Sequence, residues 1–62
     1  MKNFRTNDSF VTTAGKNDRK LGSFCSIEYA EMAGESCRKN SEYTIWQRIN
    51  GEWRAIRSRT VN

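Results

Sequence analysis

The 62-residue chain has no histidine. The commonest general base is therefore missing, and neither Cys25 nor Cys37 has an imidazole partner to activate it. Two cysteines without histidine do not supply the four close ligands of a zinc site. Glu28, Glu31 and Glu35 could form a carboxylate cluster, but so short a chain can hardly enclose a pocket around them. The stretch "TTAGKND" holds a Gly-Lys pair yet lacks the first glycine and the spacing of a phosphate-binding loop. These absences point away from an enzyme, and no cofactor or metal is expected.

Long apolar runs are also missing. The opening "MKNFRTNDSF" has no signal-peptide core, and no stretch is long and apolar enough for a membrane span. No membrane partner is expected, and the default compartment is the cytoplasm. Only 35% of residues are hydrophobic, against roughly 45–50% in an average domain. A core in a chain of this length contributes no more than about 3–5 kcal/mol. A partner, or a second copy in a homodimer, would add stability by mass action.

Eleven basic residues stand against seven acidic ones, a net charge of +4. That balance favours acidic partners. If residues 26–39 are helical, Cys25 and Cys37 lie about 18 Å apart at 1.5 Å per residue. That is too far for a disulfide, and free thiols fit a reducing compartment.

Along the chain, residues 1–8 show no periodicity and read as a flexible arm. "SFVTT" (9–13) and "LGSFC" (21–25) read as strands joined by the turn-rich "AGKNDRK". Ser26 suits an N-cap, with Glu28 in the first turn and Arg38, Lys39 and a left-handed Asn40 at the far end. The expected helix is 27–39. Ile27, Ala30, Ala33, Gly34 and Cys37 share one arc, so its buried face is small. The glutamates share another arc, solvated and supported by a Glu35–Lys39 pair.

The strongest local signal is "EYTIWQRINGEWRAIRS", two β-rich runs around Asn50-Gly51. The expected fold is α+β: one small domain over 9–59 in β-β-α-β-β order, an antiparallel sheet with a helix on one face, and a frayed tail at 60–62. Uninterrupted alternation from a two-residue turn places Tyr43, Ile45, Ile49 and Ile56 on one face. Trp46, Arg48, Trp53, Arg57 and Arg59 fall on the other. The isoleucine face is expected beneath the helix, because buried Arg48 and Arg57 would each need a charged partner. In a competing arrangement Trp46, Trp53 and Ala55 pack under the helix instead, with the arginine heads reaching water.

An outward tryptophan–arginine face has the composition of a binding hot spot. The expected function is a small non-enzymatic binding or regulatory protein, an inhibitor or accessory factor of the kind phages and mobile elements encode. It would grip an acidic protein surface through Trp46, Arg48, Trp53, Arg57 and Arg59. The alternative is a nucleic-acid module that stacks bases on the indoles. It would hold phosphates with the arginines and with Lys16, Arg19 and Lys20 of the first hairpin. The small net charge, the acidic helix and the lack of known RNA-binding signatures favour protein.

Overall fold

A computed structural model describes residues 3–62. Strands β1 (Phe10–Ala14) and β2 (Arg19–Phe24) form a first hairpin, α1 (Ile27–Glu35) follows, and β3 (Glu42–Ile49) with β4 (Glu52–Thr60) forms a second. The four strands make one antiparallel sheet in the order β2-β1-β3-β4, with α1 packed over β1, β2 and β3. The expected architecture is therefore the observed one.

Local chemistry explains the element ends. Asn50 and Gly51 have φ of 52° and 79°, the two left-handed conformations that a tight two-residue hairpin requires. Ser26 caps α1, its hydroxyl oxygen accepting from Tyr29 N at 3.4 Å. The helix stops at Glu35, earlier than the expected residue 39. Ser36 donates its hydroxyl to Ala33 O at 2.6 Å, and Cys37 N turns back to Gly34 O at 3.1 Å. A serine that bonds a nearby carbonyl competes with helical continuation. Asn40 does take a left-handed φ of 71°, but in the loop entering β3. Lys39 lies beyond the helix, so the expected Glu35–Lys39 helical pair does not form.

The main core lies between α1 and the sheet. Ala30, Tyr43, Ile45 and Val61 are buried together, with Phe10, Phe24, Ile27 and Cys37 packed around them. Thr12 is also fully buried, and its hydroxyl donates to Ala30 O at 2.7 Å. That bond ties β1 directly to the helix backbone. Gly34 lies against the Tyr43 ring, which occupies the space a side chain would take. The small helix face thus lets the bulk come from β3.

The Tyr43 hydroxyl donates to Glu35 Oε2 at 2.5 Å. Burial pushes this phenol above its ordinary value. The hydrogen bond and charge of Glu35 push the same way, against a smaller opposing effect of Arg59.

Two regions expected to hang loose are packed. Val61 is 5% exposed, its N–H donates to Ser41 O at 2.8 Å, and its carbonyl accepts from Asn40 N at 2.7 Å. The chain end is therefore part of the fold rather than a frayed tail. Phe4, Thr6 and Asn7 lie against the sheet face opposite α1, where Phe4 meets the indoles. Met1 and Lys2 of the expected arm fall outside the described residues.

Candidate functional site

The second hairpin follows the expected register from Ile49↔Glu52 to Trp46↔Ala55, and then departs from it. A β-bulge leaves Ile56 without a partner, so Ile45 pairs with Arg57, Thr44 with Ser58 and Tyr43 with Arg59. One inserted residue moves every later side chain to the other face. Arg57 and Arg59 therefore share the helix side with Ile45 and Tyr43, not the tryptophan side. Arg57 forms an ion pair with Glu31 of α1. This corrects both the five-residue face and the wholly solvated glutamate arc. Ile56 itself is exposed, and so is Cys25. Both cysteines are free thiols.

The other sheet face is an aromatic layer. Trp46 stands between Val11 and Ala55 in register, and its Nε1–H donates to Thr13 Oγ1 at 3.0 Å. The Phe4 ring lies 5.8 Å from Trp46 and 5.2 Å, edge-on, from Trp53. Arg48 sits over the Trp53 ring at 5.7 Å and donates to Thr6 O at 3.0 Å and Asn7 O at 3.2 Å. Trp53 is left 8% exposed and Val11 is fully buried. The indoles do face away from the helix, as expected. They are not an open platform, because the chain covers them with its own residues 4–7. The aromatic layer is a second small core. Neither Phe4 nor its seat had a legible signal, since a lone aromatic in a polar segment carries no periodicity.

The bare charged surface is elsewhere. A cleft of about 750 Å³ lies between the first hairpin's tip and the loop after α1. Lys16 and Arg19 line it from the hairpin, Arg38 from the loop, and half-buried Ala14, Leu21 and Cys37 complete the lining with apolar groups. None of the described residues lining it carries a carboxylate or an aromatic ring.

The local fold explains this sign. Asp18 is in the same turn, at φ 50°, and its carboxylate accepts from Thr13 Oγ1 at 3.4 Å. Thr13 faces the aromatic layer, as its bond from Trp46 shows, so Asp18 looks to the opposite side of the sheet from Arg19. A second bulge, at Leu21, opposes Lys20 to Thr13 and Arg19 to Ala14. Of the three expected loop cations, Lys16 and Arg19 enter the cleft and Lys20 does not. The Ser41 hydroxyl donates to Arg38 O and the Ser36 hydroxyl to Ala33 O, and Asn17 joins the three cations on the lining.

No group of three or more potential metal ligands occurs among the described residues, and no described helix is long and apolar enough to cross a membrane. No protein-family model, curated protein or solved structure matches the chain.

Proposed function

We propose that this chain is a small non-enzymatic binding protein that docks an acidic protein surface through the cleft between its first hairpin and the loop after α1. The observation that supports this is the convergence of Lys16, Arg19 and Arg38 on one concavity that no carboxylate of the described residues lines. A cluster of one sign in a concave site focuses its field and draws an oppositely charged partner. The contact belongs in this cleft rather than on the aromatic layer, because residues 4–7 already occupy that layer. Nucleic acid is the weaker fit. Base recognition on single strands relies on exposed aromatic rings, whereas no ring of the described residues lines the cleft and Trp53 is 8% exposed.

Affinity capture from the source organism's lysate tests this reading. The bait would be the wild-type chain and a Lys16→Glu/Arg19→Glu/Arg38→Glu variant, each with and without nuclease. The expected result is a protein partner that survives nuclease treatment and disappears with the triple reversal. Capture that depends on nucleic acid, or that ignores the reversal, contradicts the proposal.

A further inference from the structure

We infer that the cleft recognises an extended acidic segment carrying an apolar side chain between its carboxylates. This rests on the acidic-partner reading and names what that partner must present.

The cleft is not uniformly charged. Its cations stand on two walls that come from different parts of the chain, Lys16 and Arg19 on the hairpin and Arg38 after the helix. The same cleft is lined by Ala14, Leu21 and Cys37, each half-buried, which supply its apolar floor. Leu21 is there because of the β2 bulge. Thr12 pairs with Gly22 and Thr13 with Lys20, which leaves Leu21 without a ladder partner. Bulges commonly re-aim a side chain in this way. Cys37 is there because the helix ends at Glu35, and Cys37 still touches the core. Through Cys37 the floor meets the apolar interior.

A ligand that satisfied only the cations would leave this floor wet. One that covered only the floor would forgo three charges. An extended peptide turns side chains two residues apart to the same side, so carboxylates two positions before and after a leucine-like residue can meet the walls while that residue meets the floor. A phosphate chain offers the charges without the apolar group. Bases would find no ring to stack on.

The test uses fluorescence anisotropy with three labelled probes: the acetylated peptide Glu-Glu-Leu-Glu-Glu, the same peptide with Ser in place of Leu, and a short single-stranded oligonucleotide. Burying one leucine side chain should make the Leu peptide about tenfold tighter than the Ser peptide. Arg38→Glu should weaken the Leu peptide by at least about tenfold, as expected when one partner of a charge pair is reversed. Changing the peptide rather than Leu21 avoids any loss of folding. Equal binding of the two peptides overturns the apolar part and leaves the acidic-partner reading standing. Tighter binding of the oligonucleotide overturns the peptide assignment. If no acidic probe binds, both the inference and the reading beneath it fall.

Discussion

Gly34→Ala should destabilise the protein, against the ordinary behaviour of that change. At an exposed helical site the substitution gains about 1 kcal/mol of propensity. Here the new methyl group would enter the Tyr43 ring. That ring is 1% exposed and its hydroxyl is held by Glu35, so it has little room to retreat. Overpacking at a well-filled site costs about 1–3 kcal/mol. Contact with several ring atoms puts Gly34 at the upper end, so about 3 kcal/mol less the propensity gain leaves a net loss of about 2 kcal/mol. In a domain this small that is a large share of the whole stability and corresponds to a fall in Tm of about 10 °C. Urea unfolding followed by tryptophan fluorescence, with a parallel thermal melt, measures it. An unchanged or raised midpoint would refute the close approach of α1 to β3 on which the core arrangement rests.

The remaining predictions concern the covered face, the phenol and the ion pair. Phe4→Ala should shift tryptophan emission to the red and increase acrylamide quenching, because the ring seals Trp53. The lost aromatic contacts should cost about 1–2 kcal/mol, and unchanged emission would mean that residues 4–7 do not cover the indoles. Tyr43 has its pKa raised above the ordinary value of 10.0. The folded state therefore holds the phenolic proton more tightly than the unfolded chain. Its contribution is complete below the ordinary value and is lost as pH rises through the folded one. Unfolding midpoints measured across that alkaline range should fall less steeply in Tyr43→Phe than in the wild type, and identical slopes would contradict the assignment. A double-mutant cycle on Glu31 and Arg57 should give a coupling of less than about 1 kcal/mol, since both side chains keep solvent contact. No coupling at all would argue against the register that places Arg57 on the helix side of the sheet.

Those features divide by whether their cause is local. Asn50-Gly51 fixes its own conformation, so the hairpin and its first four residue pairs were legible in the sequence. Ser26 announced the helix start through capping chemistry, and Gly34 announced a close approach through its small size. The bulge at Ile56 was not legible. No glycine or proline marks it, and it becomes reasonable only when Arg57 can reach Glu31 and Val61 can enter the core. Its effect on the candidate site was large, because it split five residues of an apparent face between two sides. The covering of that face was equally hidden, since Phe4 finds Trp46 and Trp53 from more than forty residues away. The cleft was half visible. Lys16 and Arg19 stood out as hairpin cations, whereas Arg38 joined them only because the helix stopped early.

The most direct test of a recognition surface in the cleft is an anisotropy titration of the Leu-containing acidic peptide against three proteins: wild type, Arg38→Glu and Arg54→Glu. Arg54 lies on β4, is exposed, and contacts Glu52, so its reversal changes the net charge by the same amount outside the cleft. Arg38→Glu should bind at least about tenfold more weakly, and Arg54→Glu should lose much less. Equal losses would mean that net charge alone attracts the peptide, and would contradict a built site between the first hairpin and the loop after α1.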